Sequence, residues 1–129
     1  QNKKVGVLLD LRCETDFVSR TDDFKNLAHD LAMQIVAMSP DYLSPEQVPQ
    51  ELIDREKDIY SEQLKNEGKP ANIIEKIMQG KLDKFFEEIC LLKQLFIKDD
   101  KIKVEDLIKQ MIAKTGEKIE IGRFSRFQI

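Results

Sequence analysis

The sequence predicts an α+β fold in which a small antiparallel sheet is covered by helices and an antiparallel helical hairpin projects away from it. Three observations carry that prediction. Apolar residues alternate with period two near both ends of the 129-residue chain, which marks a half-buried strand at each end. Between them, Phe24, Leu27, Ala28, Leu31, Ala32 and Ile35 recur at helical spacing and form a stripe wide enough to cover one face of a sheet. Two further helices with narrow apolar seams are joined by a Gly-Pro turn, which places a hairpin at about residues 49–88. At this length one domain, residues 1–129, holds all of it.

In the first strand Val5, Val7, Leu9 and Leu11 share a face, with Gly6, Asp10 and Arg12 opposite. Leu8 interrupts the polar side, so that face is expected to be partly covered as well. The alternation stops at Cys13-Glu14-Thr15-Asp16-Phe17-Val18, and Ser19-Arg20-Thr21-Asp22-Asp23 supplies side-chain oxygens able to cap the next helix. That helix ends at Ser39-Pro40. Residues 40–49 contain three of the four prolines and form a linker, in which Ser44-Pro45-Glu46-Gln47 fits a capping box. The first hairpin helix starts near Pro49 with the seam Leu52, Ile53, Glu56, Ile59, Tyr60, Gln63 and Leu64. Asn66-Glu67-Gly68-Lys69-Pro70 ends it, because Gly suits the left-handed position after a helix and Pro cannot continue one. The second hairpin helix carries Ile73, Ile74, Ile77, Met78, Leu82, Phe85, Phe86 and Ile89, and each arm is too short to establish a supercoil. Residues 91–97 fit a strand or a packed loop equally. Val104, Leu107, Ile108, Met111 and Ile112 form a short helix closed by Thr115-Gly116. The last strand, over 118–129, has Ile119 and Ile121 on one face, and Gly122 marks a bulge after which Phe124 changes parity.

Composition excludes more than it assigns. Acidic residues outnumber basic ones, 24 to 21, for a net charge of −3, which disfavours direct nucleic-acid binding through clustered Lys and Arg. No apolar run is long enough to span a membrane, and a signal peptide is not expected at the start of the chain. A chain that opens on Gln1 rather than Met is expected to be a fragment or a processed form. Two cysteines are too few for a disulfide framework and fit a reducing compartment. The cytoplasm is the expected location, with an organelle matrix or stroma as the alternative.

Chemistry-bearing constellations are sparse. Cys13 and His29 are the conceivable nucleophile and base, but their spacing does not require contact, and His29 lies beside an apolar stripe where a partly buried packing or capping role is expected. One His with two distant cysteines, Cys13 and Cys90, matches no zinc spacing, and the five glycines form no phosphate cradle. Asp22-Asp23 and Asp99-Asp100 read as helix-start and turn residues. An enzyme, a metal or a cofactor is therefore not expected. The remaining oddity is Thr15-Asp16-Phe17-Val18, an aromatic beside a carboxylate in a strand-to-helix turn. On pattern alone the favoured reading is a staple, with Phe17 tucked under the following helix and Asp16 holding the turn. The alternative is a protruding pair that inserts into a partner.

The stretch Asp10-Leu11-Arg12-Cys13-Glu14-Thr15-Asp16-Phe17-Val18-Ser19-Arg20 closely resembles the signature of the bacterial-type elongation factor Ts family. The likeness continues in order through Leu31-Ala32-Met33 with Val36-Ala37, Pro40-Asp41-Tyr42-Leu43 with Val48-Pro49, and Glu67-Gly68-Lys69-Pro70. It extends to Ile74-Glu75-Lys76-Ile77, Gly80-Lys81-Leu82-Asp83-Lys84-Phe85, the run from Leu91 to Asp99, and Gly122-Arg123-Phe124-Ser125-Arg126-Phe127. Asp10 and Arg12 stand where the family more often has Glu and Asn, and Gln34 stands where many members carry a His associated with partner contact.

The resemblance implies a core (dimerisation) domain with its helical hairpin, from which the family's N-terminal helical domain is absent, as in the short single-core form that pairs as a homodimer. It implies a guanine-nucleotide exchange factor acting on the GDP form of elongation factor Tu, without covalent chemistry. Thr15, Asp16, Phe17, Val18 and Arg20 are then the partner-binding residues, with Asp16 and Phe17 inserted near the nucleotide and magnesium, and Thr15 and Val18 setting the turn. The hairpin tip is a second candidate contact or a supporting arm. The rival reading is a dimeric helical-hairpin scaffold or interaction module without exchange activity.

Overall fold

A computed structural model describes residues 4–129; Gln1, where the chain opens, lies outside them. Strand β1 (Val5–Arg12) pairs antiparallel with β4 (Glu120–Gln128), so the two ends of the chain form one ribbon. The register runs from Val5 opposite Gln128 to Arg12 opposite Glu120 and shifts between Asp10 and Leu11, whose partners are Arg123 and Ile121. Gly122 is the extra residue. Before it Ile119 and Ile121 point inward; after it Phe124 and Arg126 do, which is the parity change expected of a bulge. A Cβ on Gly122 would lie 2.5 Å from Asp10 Oδ2 and 2.6 Å from the Arg12 guanidinium, so the glycine leaves room for that exposed ion pair. The Arg12 hydrogen bond holds the Asp10 carboxyl below its ordinary range.

Helix α1 (Asp16–Ser19) is a single turn, and α2 (Asp22–Met38) follows it, covering the inner face of β1. Thr21 caps α2 through its hydroxyl, which accepts from Phe24 N at 3.2 Å. The residue that caps its C-terminus, Ser39, sits at φ 47°, left-handed, with Pro40 next. The stripe of α2 (Phe24, Leu27, Leu31, Ile35) joins Val18, Leu91, Val104, Ile108, Ile119 and Ile121 in one buried core. Arg126, reaching from the sheet, donates through Nη2 to Val36 O at 3.2 Å, which brings a cation to the carbonyl end of α2.

The linker makes a short 3-10 turn (Pro45–Gln47) rather than the expected capping box: Ser44 makes no cap bond, and Gln47 Oε1 instead accepts from Leu43 N at 3.1 Å. The Gln47 N–H donates to Ser44 O at 3.0 Å, and the Glu46 carboxylate accepts from its own N–H and from the Ser44 hydroxyl, which holds its pKa below the ordinary value. Helices α3 (Gln50–Asn66) and α4 (Ala71–Ile89) pack on each other, with Leu64 and Leu82 their fully buried residues. Gly68, at φ 75°, ends α3 in a Schellman arrangement, its N–H donating to Lys65 O and that of Lys69 to Leu64 O. At the hairpin base the linker and the end of α4 are laced together, Leu91 N donating to Tyr42 O at 2.8 Å and Leu92 N to Leu43 O at 3.0 Å.

The ambiguous run 91–97 resolves into a 3-10 turn (Leu91–Lys93) and a two-residue strand β2 (Leu95–Phe96), paired with β3 (Asp99–Lys103). Sequence reading missed β3, because Asp and Lys dominate it and only its pairing makes it a strand. Asp99 and Asp100 open it, with Asp99 Oδ1 accepting from Lys101 N at 3.1 Å. Helix α5 (Val104–Thr115) follows and closes on Gly116 at φ 72°. Gln34 and Gln94, both fully buried, join α2 to this region. Gln34 Nε2 donates to Gln94 Oε1 at 3.2 Å and to Leu95 O at 3.0 Å, and Ile97 N donates back to Gln34 Oε1 at 2.9 Å. Gln34 is thus a paired interior amide with no face at the surface.

Candidate functional site

The turn leaving β1 owes its shape to side chains on both sides of it. Thr15 has extended backbone (φ −129°, ψ 153°), and its hydroxyl accepts from Val18 N at 3.3 Å, capping α1. Val18 points into the core at 6% exposure, while Phe17, one residue earlier and so about 100° around the helix, points out at 81% exposure. The staple expectation fails for this reason: one turn of helix has room for a single inward residue, and Val18 takes it. Asp16 lies exposed in the first turn beside Phe17, and Arg20 is exposed at the C-terminal end of α1. Ser19 Oγ donates to Asp16 O at 2.9 Å and Thr21 Oγ1 to Val18 O at 2.7 Å, so the carbonyls of this short helix are also paired.

Of the five residues expected at the site, Asp16, Phe17 and Arg20 are exposed, Thr15 is an exposed cap of the turn, and Val18 alone anchors it from beneath. Glu117, which sequence reasoning did not select, completes the arrangement from the turn between α5 and β4. Its Oε1 accepts from Glu14 N at 3.1 Å and Thr15 N at 3.0 Å, and its Oε2 accepts from the Thr15 hydroxyl at 2.6 Å. Only the spacing after Gly116 hints at it, since nothing local links residue 117 to residue 15.

The site is convex. The described grooves lie elsewhere, one of about 310 Å³ lined by Leu8, Asp10 and Arg123, another of about 380 Å³ between α5 and β4 lined by Ile108, Ile112 and Ile121. The Cys13 thiol donates to Thr15 O at 3.2 Å, and His29 stands exposed on α2 rather than partly buried, because it falls on the helix side away from the stripe. Among the described residues no three His, Cys, Asp or Glu side chains gather in a way that could hold a metal ion. No described helix is long and apolar enough to cross a membrane.

The turn thus carries a protruding carboxylate–aromatic pair, and comparison with known proteins gives the family of the chain. The family model described as elongation factor TS matches residues 1–129. The chain belongs to the elongation factor Ts family. Relatives named elongation factor Ts include those of Fervidobacterium nodosum and Thermosipho melanesiensis, each 56% identical over 128 residues, 99% of this chain and 65% of the relative. That of Carboxydothermus hydrogenoformans is 54% identical over 126 residues, 98% of this chain and 58% of the relative. The chain therefore spans less than two thirds of the length of these family members.

Proposed function

We propose that this chain is a guanine-nucleotide exchange module that acts in translation elongation by promoting GDP release from elongation factor Tu, without making or breaking covalent bonds. The observation that carries the reading is Phe17, 81% exposed beside Asp16 on a turn anchored in the core. Leaving a phenylalanine in water is costly, and burying it in a partner is worth roughly 1.5–3 kcal/mol. A tenfold weakening of nucleotide binding needs about 1.4 kcal/mol, so one wedge of this size is sufficient if its insertion is incompatible with bound nucleotide. In this mechanism Asp16 and Phe17 enter the nucleotide-binding domain of elongation factor Tu and displace groups that hold magnesium and phosphate. The coupling is reciprocal: whatever the module takes from GDP affinity, GDP takes from affinity for the module.

The module is proposed to work as a homodimer within residues 1–129, in the cytoplasm or an organelle matrix. Leu8 and Phe127, 69% and 60% exposed, lie diagonally on the outer sheet face, where no other described residue covers them. The expected covering of Leu8 thus does not come from the described residues. An exposed apolar pair on a two-stranded sheet whose outer edges no described strand pairs suits a second copy.

The test is release of a fluorescent GDP analogue from elongation factor Tu. The full-length protein should accelerate it strongly and Phe17→Ala should lose most of that acceleration while remaining folded; equal rates for the two would refute the wedge. Cys13→Ser and His29→Ala should keep most of the activity. A protein that sediments as a dimer but never accelerates release would favour the scaffold reading.

A further inference from the structure

We propose that Glu117 is a positioning residue for the exchange tip, fixing through Thr15 the orientation in which Asp16 and Phe17 meet the partner. The proposal rests on the exchange reading above and extends it to a residue 102 positions away in sequence from Thr15. An isolated helical turn does not hold its own shape, since one closed turn fixes several dihedrals for a single hydrogen bond. The geometry of α1 must therefore be imposed from outside, and two groups impose it. Val18 pins the turn from below, in the core. From the side, one carboxylate collects three donors: Glu117 Oε1 takes the N–H groups of Glu14 and Thr15 at 3.1 and 3.0 Å, and Oε2 takes the Thr15 hydroxyl at 2.6 Å.

That third bond has a direct consequence for the tip. A threonine hydroxyl has one proton; committing it to Glu117 leaves the oxygen lone pairs for Val18 N, the bond that caps α1. Glu117 is itself held. Its N–H donates to Thr115 Oγ1 at 3.2 Å, that hydroxyl donates to Met111 O at 2.9 Å, and Gly116 takes the left-handed conformation that ends α5. A reciprocal bond from Lys118 N to Glu14 Oε2 at 2.7 Å closes the clamp between the two turns. Hydrogen bonds to a charged acceptor are stronger than neutral ones, which favours Glu at this position over a neutral side chain.

A clamp of this kind raises the fraction of molecules whose tip is already in the binding orientation. Losing it weakens apparent affinity by that fraction and leaves the rate of the saturated complex unchanged. Phe17 differs, because its volume is needed in the complex itself. The experiment measures amide hydrogen exchange at Glu14 and Thr15 in the free full-length protein, and GDP release from elongation factor Tu across a concentration series. Glu117→Ala should speed exchange at both amides about tenfold or more. It should raise the half-saturating concentration about five- to tenfold with the maximal rate kept within about twofold. Glu117→Gln should recover most of the affinity, since its oxygen accepts the two N–H groups and its amide donates to the hydroxyl. Thr15→Ala combined with Glu117→Ala should be no worse than the worse single change, as expected for residues acting as one unit.

Unchanged amide protection in Glu117→Ala overturns the proposal, as does a fall in maximal rate at constant half-saturation, or full additivity with Thr15→Ala. If Glu117→Ala melts below the assay temperature, Thr15→Ala decides: a raised half-saturation supports the clamp and an unchanged one overturns it. A wild-type protein that does not accelerate release at all removes the exchange reading and this proposal together. A normal wild type with an unmoved Glu117→Ala removes the clamp alone.

Discussion

Two turns of this molecule protrude, and they are built in opposite ways. The hairpin turn at residues 67–70 is made entirely by its neighbours: Gly68 supplies the left-handed conformation, the backbone closes a Schellman pair, and Pro70 starts the returning helix. The tip at residues 13–21 is made from a distance, with Val18 in the core beneath it and Glu117 across from it. The arm behind the hairpin turn contributes no residue to the core cluster, and its Ile59 and Ile73 remain exposed. A turn that only needs to reverse the chain can rely on local signals. The turn that carries the exposed Phe17 ring is braced by the core and by a distant carboxylate, and it sits on the domain rather than on the arm.

Four measurements would sharpen or break that contrast. The largest effect is expected under the tip. Leu31→Ala, in the fully buried floor of the core, should cost about 2–5 kcal/mol in a denaturant melt, against about 0.5 kcal/mol or less for Ile73→Ala on the arm. Comparable losses would mean that the arm is part of the cooperative core.

Next is the junction where the arm rejoins the domain. Burial, with the Glu46 carboxylate adding to it, pushes the Cys90 thiol up from 9.0 to about 11. The folded state favours the neutral thiol, so this contribution is fully present below the unfolded value of 9.0 and is lost as pH rises toward about 11. A Cys90→Ala protein should lack a pH-dependent loss on the order of 3 kcal/mol over that window. Identical pH profiles for the two proteins would show that the thiol does not sense folding.

Gly68→Ala should cost about 1–2 kcal/mol, because a Cβ is strained at φ 75°. The loss should be confined to the hairpin, read as faster amide exchange in α3 and α4, with GDP release unaltered. A parallel fall in exchange activity would make the hairpin turn part of the functional surface. The smallest expected effect belongs to Phe17→Ala, whose exposure limits its stability change to about 0.5 kcal/mol. A larger destabilisation would mean that the ring supports the fold and is not held in reserve for a partner.

Features with a local cause were legible from the residues in order. The strand at each end, the α2 stripe, the Gly68 and Gly116 helix ends and the Gly122 bulge all follow from periodicity or from the conformational demands of one residue. The family likeness likewise pointed to residues 15–20. Features with a partner far along the chain were not legible. Strand β3 is strand only because β2 lies beside it, and the inward turn of Gln34 depends on Gln94 and Ile97 from the far side of the hairpin. Phe17 is outward because Val18 won the single inward place, and Glu117 reaches Thr15 only once β4 has closed against β1. Spacing and backbone sterics within a few positions set the elements, their ends and the residues of the protruding turn. Tertiary structure alone decided which way the tip faces and what braces it, because burial and hydrogen bonding between distant segments exist only after the chain has folded.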